Sequence, residues 1–305
     1  MPSNSNSNKR VAVIDVGTNT FHLLISAAGS PISSTDQIRL RRYVKLGEES
    51  PHHIGAMAFK RGVSAMAEFA GIAKSERVGK IAAVGTAMLR NADNSHEFIR
   101  AVKEQTGIQI EVISGQTEAD LIFKGALLSG SLSGKTDLLM DIGGGSVEFI
   151  LSEASEAIWR DSFDIGVSSL KHKFNQNDRL TASDIQKLKS YIDKEVAPLF
   201  DKLQGRTKLR MVGLSGTFDV IEEHMRFQKG LQTDTIPLTE VKGFINEILP
   251  LSLEQRLQHP SIPKSRADLI SVALVLVDHI LNRSEISELS TSLYSIKEGL
   301  LMHLV

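Results

Sequence analysis

Asp141-Ile142-Gly143-Gly144-Gly145-Ser146-Val147-Glu148 lies between two apolar runs, Leu138-Leu139-Met140 before it and Phe149-Ile150-Leu151 after it. Apolar runs on either side of three glycines predict two strands joined by a tight hairpin. Glycine lets the backbone come close to a ligand. N–H groups exposed in such a turn suit phosphate oxygens. Asp141 ends the first strand at the turn, where a carboxylate can hold a hydrated metal ion. Glu148, in the returning strand, supplies a second carboxylate nearby.

The same form occurs near the N-terminus. Asp15-Val16-Gly17-Thr18-Asn19-Thr20 lies between Val11-Ala12-Val13-Ile14 and Phe21-His22-Leu23-Leu24-Ile25. One hairpin could be a chance glycine motif. Two copies point to a duplicated architecture. Facing each other across a cleft, they would grip a phosphate chain from both sides.

The elements between them support duplication. The first half reads as strands within Val11–Ala27 and at Ile38–Val44, then a helix over Gly55–Lys74, where Phe59, Val63, Met66, Ala70 and Ala73 share a face. A strand at Lys80–Val84 follows. A capping box, Asn94 with Glu97, opens a helix that Gly107 stops. A strand at Ile108–Ile113 leads through Ser114-Gly115 into a helix from about Gln116. In the second half the strands are Asp137–Ile142, Ser146–Leu151, Ala157–Phe163, Leu209–Leu214 and Glu285–Leu289. Helices are expected over Thr181–Phe200 (capped by Thr181 and Asp184), from Ser215-Gly216-Thr217 to near His224, and over Leu238–Leu249, Pro263–Asn282 and Tyr294–Leu304. Two α/β lobes result, residues 1–127 plus about 292–305 and residues 128–291.

A chain of 305 residues with 41% hydrophobic content can bury a core in each lobe. Its net charge of −1 gives no field that would draw it to nucleic acid or membrane. There is no cysteine, which excludes disulfides and thiolate chemistry. The nine histidines show no zinc-ligand spacing. The Ser/Asn-rich stretch Met1–Asn8 has neither signal-peptide nor anchor character and is expected to be disordered. Leu269–Leu281, broken by Asp278 and His279, is too short to span a bilayer. A cytoplasmic location is expected, with no nucleic-acid or membrane partner.

Five stretches together carry a family resemblance. They are Ile14–His22, Gly85–Asn94, Ile113–Ile122, Asp141–Phe149 and Val212–Thr217. In this order they resemble the exopolyphosphatase / guanosine pentaphosphate phosphohydrolase family, within the actin and sugar-kinase superfamily. The resemblance covers nearly the whole chain. Ser114-Gly115-x-x-Glu118-Ala119 together with Asp141-Ile142-Gly143-Gly144-Gly145-Ser146 is its most specific part. It implies an α/β, duplicated actin-like (ribonuclease H-like) two-lobe fold with an interdomain cleft. Two positions depart from the family pattern: Ser215 replaces a usual glycine, and Lys297 stands where the family commonly has arginine. The chain also stops near the two-lobe length, without the extra helical domain of long members.

The resemblance implies removal of a terminal phosphate from inorganic polyphosphate, guanosine pentaphosphate or both. It assigns the water-activating role to Glu118, in the first turn of its helix, and a phosphate clamp to Arg90, whose guanidinium can take two oxygens at once. Asp141 and Glu148, with Asp15, are candidates to hold Mg²⁺ or another hard divalent ion, which needs only one or two carboxylates beside substrate phosphates. Gly17, Thr18, Asn19, Thr20, Gly143, Gly144, Gly145 and Ser146 would donate to phosphate from the hairpins, and Gly216 and Thr217 from the second lobe. A homodimer is also implied. His22 reads as structural, and Lys171-His172-Lys173 as solvated surface. Two other functions fit the same superfamily: an ATP-dependent kinase, and a non-catalytic sensor of guanosine tetra- or pentaphosphate.

Overall fold

Val11–Ile14 and Leu138–Met140 are buried at every position rather than at alternate ones. Strands covered on both faces read as continuous apolar runs, and each of these two runs is a central strand of its own sheet. The computed structural model describes residues 10–29, 36–174, 179–230 and 235–304. The opening stretch Met1–Asn8 lies outside them. The chain divides into two compact units, residues 1–128 with 294–305 and residues 129–293.

The first unit holds a five-stranded sheet. Its strands are β1 (Arg10–Val16), β2 (Thr20–Ala27), β3 (Ile38–Tyr43), β4 (Val78–Gly85) and β5 (Ile110–Val112). Their order is β3-β2-β1-β4-β5, with β1–β2 and β2–β3 antiparallel and β1–β4 and β4–β5 parallel. The helices are α1 (Ala56–Ser75), α2 (Ala87–Asn91), α3 (Ser95–Thr106) and α4 (Gly115–Leu128). Ala12, Ile14, Val16, Phe21 and Leu23 form one core with Phe69 of α1 and Phe98 of α3. Phe98 meets Phe59 edge-on with ring centroids 5.3 Å apart, a favourable arrangement of the ring quadrupoles. The arginines of β3 are accommodated because it is an edge strand, where charge is tolerated and discourages further pairing. Gly107 ends α3 in the left-handed region, φ 74°, as its sequence position requires. The start of α3 differs from expectation. Asn94 does not cap it. Its side chain instead accepts from Ile54 N–H and donates to Ile54 C=O, at 3.0 and 2.9 Å, pinning the loop that leads into α1.

The second unit repeats the plan. Its strands are β6 (Thr136–Ile142), β7 (Val147–Glu153), β8 (Glu156–Phe163), β9 (Leu209–Leu214), β10 (Thr235–Ile236) and β11 (Ile286–Ser292). The order is β8-β7-β6-β9-β11, with short β10 added at the far edge. Again the first three strands are antiparallel and the next two join in parallel. The helices are α5 (Val167–Phe174), α6 (Ala182–Glu195), α7 (Ala197–Leu203), α8 (Gly216–Glu223), α9 (Leu238–Ile248), α10 (Leu253–Gln258) and α11 (Ile270–Arg283). Thr181 and Asp184 do form a reciprocal capping box on α6. The single helix expected over Thr181–Phe200 is two, because Pro198 has no N–H to carry α6 onward and opens α7 instead. The expected helix from Pro263 begins only at Ile270. The buried Arg256 of α10 donates to the carbonyls of Ala267 and Leu251, at 2.8 and 2.7 Å, which ties down the irregular segment before α11.

Helix α11 is apolar on nearly all sides because it is wrapped by its unit. Two of its polar residues pair with α6: Asp278 with Lys189 at 2.7 Å, and His279 with Asp193 at 2.8 Å. Among the described residues no helix is long and apolar enough to cross a membrane. The chain then returns to the first unit as α12 (Ile296–Leu301), which packs on α4 and β1. Ser295 and the buried Glu298 cap it reciprocally. Glu298 also pairs with Arg39 of β3. Lys297 lies in the same first turn, 3.6 Å from the Glu298 carboxylate.

A single π-helical turn, His224–Gln228, follows α8. His224 is buried against the Phe244 ring, its Nδ1 3.0 Å from the Ser261 hydroxyl, and its Nε2 has no partner among the described residues. Burial pushes its pKa below the ordinary value of 6.5; Glu247 and Glu240 pull upward, His259 and Lys229 downward. The neutral ring is therefore favoured more in the folded than in the unfolded chain. Above pH 6.5 both states are neutral here and the site is silent. As pH falls below 6.5 the unfolded chain takes the proton first, and stability is lost until the folded value is reached. Melting temperature from pH 7.5 to 5 is the measurement. His224→Gln is expected to flatten that part of the profile. A profile with the same slope in the variant would assign the loss to other groups.

Candidate active site

The two glycine hairpins are one device built twice. In the first, Asp15 faces His22 across β1–β2; in the second, Asp141 faces Glu148 across β6–β7. Each turn is closed by the same bond, Gly17 N–H to Thr20 C=O at 3.2 Å and Gly143 N–H to Ser146 C=O at 3.0 Å. A Cβ on either glycine would stand 2.9 Å from that same carbonyl oxygen, so the turn has no room for a side chain.

Both hairpins are braced from behind by the segment after the third strand. In the first unit, Asn19 C=O accepts from Val44 and Lys45 N–H, both at 2.9 Å, and Thr18 C=O from Gly47 N–H at 3.4 Å. In the second, Gly143 C=O accepts from Val167 N–H at 3.0 Å, Gly144 from Ser168 at 2.8 Å and Gly145 from Gly166 at 3.1 Å. A Cβ on Gly166 would overlap the backbone of Gly144 and Gly145, so that approach also requires glycine. The carbonyls are thus consumed on one side. The N–H groups of Thr18, Gly144 and Gly145 have no acceptor among the described residues. Adjacent uncommitted amides of this kind form an anion-binding concavity.

Pairing of β4 with β1 and β5 brings the next two motifs together. Gly85 lies opposite Val16 on one side and Val112 on the other. Arg90, on α2, crosses to the turn that opens α4. Its Nη1 donates to Ile113 C=O at 3.1 Å and to Glu118 Oε2 at 2.6 Å. Ser114 shapes that turn, its hydroxyl accepting from Thr117 N–H at 3.1 Å. Both charged side chains are largely enclosed, 17% exposed for Arg90 and 10% for Glu118. The two residues expected to act separately, as clamp and base, form an ion pair.

The equivalent position in the second unit follows β9, where Leu214 lies opposite Asp141. Ser215 has φ 65°. That left-handed conformation is one glycine adopts freely and serine does not, which explains the glycine usual in the resembled family. After it, Gly216 and the buried Thr217 open α8. The Arg266 guanidinium lies directly against Gly216, where a Cβ would overlap it, and its Nη2 is 3.3 Å from Asp219. Arg266 carries no local motif, and only the fold reveals it. Lys173 is exposed, as expected of solvated surface, with its ammonium 3.7 Å from the centre of the Tyr191 ring, while the half-buried Lys171 pairs with Asp268 at 2.9 Å.

The donors beside the second hairpin are hard oxygens. Asp141 and Glu148 are 5% and 1% exposed. Glu148 Oε1 accepts from the Ser146 and Ser162 hydroxyls, each at 2.7 Å. No group of three or more His, Asp or Glu suited to a metal occurs among the described residues. A small set of oxygen donors fits an ion that keeps most of its waters, as Mg²⁺ does, and does not make a closed cage.

A duplicated sheet with a phosphate-type hairpin in each copy defines the two-lobe actin-like class of phosphate-handling proteins. Within that class, residues 28–305 match the Ppx/GppA phosphatase family. The chain belongs to that family. Among solved structures it is similar to an exopolyphosphatase from Cytophaga hutchinsonii, with 30% identity, 97% of each chain covered and a TM-score of 0.89. The PPX-GPPA enzyme of Aquifex aeolicus shares the fold, with a TM-score of 0.76 at 21% identity, over 97% of this chain and 99% of that one.

Proposed function

We propose that the protein hydrolyses the terminal phosphoanhydride bond of inorganic polyphosphate, guanosine pentaphosphate or both. The observation that carries this is the enclosed Glu118 carboxylate, held at a helix start by Arg90 beside the Ser114 turn. Membership of a phosphatase family supports it. Glu118 takes a proton from water at a carboxylate oxygen, and the water oxygen attacks the terminal phosphorus. The bond to the bridging oxygen breaks, and that oxygen leaves on the shortened chain. Thr18, Asn19 and Thr20 with Gly17, and Gly144, Gly145 and Ser146 with Gly143, offer turn amides and hydroxyls to phosphate oxygens. Gly216 and Thr217 offer the same at the start of α8, with the Arg266 guanidinium alongside.

Asp141 and Glu148 would hold Mg²⁺ beside the second hairpin, and Asp15 is the candidate carboxylate of the first. The ion supplies neutralisation of phosphate charge. Activity is expected to disappear on exhaustive chelation and return with Mg²⁺. Asp141→Asn is expected to raise the Mg²⁺ concentration needed and to lower turnover together. Full activity after chelation, or an Asn variant that behaves normally at low Mg²⁺, counts against the assignment. Phosphate release from short polyphosphate, long polyphosphate and guanosine pentaphosphate, measured side by side, tests the function itself. No release from any of them rejects it and favours a binding role.

A further inference from the structure

The two hairpins are braced alike, but the braces themselves are held differently. In the second unit two of the bracing amides, Val167 and Ser168, open α5, and the helix directs them. In the first unit the segment Val44–Glu48 belongs to no helix or strand. Lys45 within it has φ 51°. That left-handed conformation is unfavourable for a residue with a β-carbon and persists only where the surroundings fix it. Lys45 N–H goes to Asn19 C=O at 2.9 Å, and Lys45 C=O accepts from Glu48 N–H at 3.2 Å. Arg61, in the second turn of α1, adds three contacts. Its Nε donates to Val44 C=O at 3.0 Å, and its Nη2 lies 3.5 Å from Lys45 C=O and 2.6 Å from Glu48 Oε1. One planar guanidinium thus spans the carbonyls on both sides of the strained Lys45 α-carbon.

We infer that Arg61 is a positioning residue for the first phosphate hairpin. By fixing the carbonyls of Val44 and Lys45 it keeps the N–H groups of the same two residues on Asn19 C=O. The turn Gly17–Thr20 is then held in the shape that receives phosphate before substrate arrives. This rests on the hydrolase function proposed above. Arg61 touches the brace and not the substrate. The hairpin holds phosphate alike before and during bond cleavage, so loss of the brace weakens binding and leaves turnover at saturation intact.

Tripolyphosphate binding in the presence of Mg²⁺ is measured by calorimetry, KM and kcat by phosphate release, and folding by thermal melts, for wild type, Arg61→Met and Arg42→Met. Arg42 is the matched control, because its guanidinium ties the same edge of the sheet to the same helix through Glu68 and does not touch the brace. Arg61→Met is expected to weaken binding and raise KM about five- to thirtyfold, the cost of ordering one backbone link again when the ligand binds. Its kcat is expected to stay near that of wild type. Arg42→Met is expected to bind as wild type does, whatever its melting temperature. Arg61→Lys, whose single ammonium cannot span both carbonyls, is the second variant if the Met form fails to fold, with a binding loss expected there too. An Arg61→Met protein that melts lower but binds normally overturns the positioning role and leaves a structural one. An equal binding loss in Arg42→Met, or a fall in kcat with KM unchanged, overturns it as well. Wild type that binds tripolyphosphate but releases no phosphate rejects the hydrolase function, and the binding comparison still decides the role of Arg61. Wild type that binds no tripolyphosphate overturns the phosphate-holding hairpin and the role of Arg61 with it.

Discussion

Replacing Glu118 with glutamine is expected to cut kcat by roughly 10²–10⁴, the usual contribution of a positioned general base. Glutamine keeps the shape of the side chain and can still accept from Arg90 Nη1 through its carbonyl oxygen. What it loses is the ability to take a proton from water. Substrate affinity is expected to change little, because glutamine still anchors Arg90 and the hairpin amides proposed to hold phosphate are untouched. Steady-state phosphate release gives kcat, and calorimetric titration with tripolyphosphate gives affinity. A variant with near-normal kcat would end the proposed mechanism. Equal loss of binding and turnover would show that Glu118 serves chiefly to hold structure or metal.

A methyl group added at Gly299 is expected to destabilise the first unit by about 1–3 kcal/mol, the range for overpacking a fitted core. Helices α4 and α12 touch backbone to backbone. A Cβ on Gly299 would overlap the Leu121 carbonyl oxygen, and one on Gly125 would overlap that of Ser295. Both obstructing atoms belong to helix or cap backbone, so neither moves cheaply. The clash would push α4 away from α12, and Glu118 with it. Gly299→Ala is therefore expected to lower the urea midpoint and kcat together, and Gly125→Ala to do the same. Normal stability in both variants would mean that the helices can slide apart freely. A stability loss with full kcat would separate the packing from the position of Glu118.

The hairpins were legible because their chemistry is local: an Asp, a glycine and small residues at fixed spacing, between apolar runs. The braces behind them were not. Val44–Gly47 and Gly166–Ser169 act through main-chain N–H groups, which nearly any residue provides, so no side-chain pattern marks them. Arg266 was missed for a different reason. It meets Gly216 only because the fold joins positions far apart in sequence. Asn94 shows a local rule overridden, since its amide satisfies both polar groups of Ile54 at once, which outweighs one cap bond. The break at Pro198 was visible and was outweighed by an apolar pattern that continues across it. The pairing of Arg90 with Glu118 follows from the alignment of β4 with β5, which individual motifs do not contain.

The first unit is assembled from two pieces of chain with the whole second unit between them. During synthesis, therefore, α4 emerges long before its partner α12, and residues 129–293 are complete before that partner is made. Domains tend to fold as they emerge, at about 5–20 residues per second. The second unit can begin to fold as it emerges, while the helix bearing Glu118 lacks its partner until residues 294–305 have been made. On the proposed function, the position of Glu118 is settled only after the second unit has been made and α12 has docked on α4.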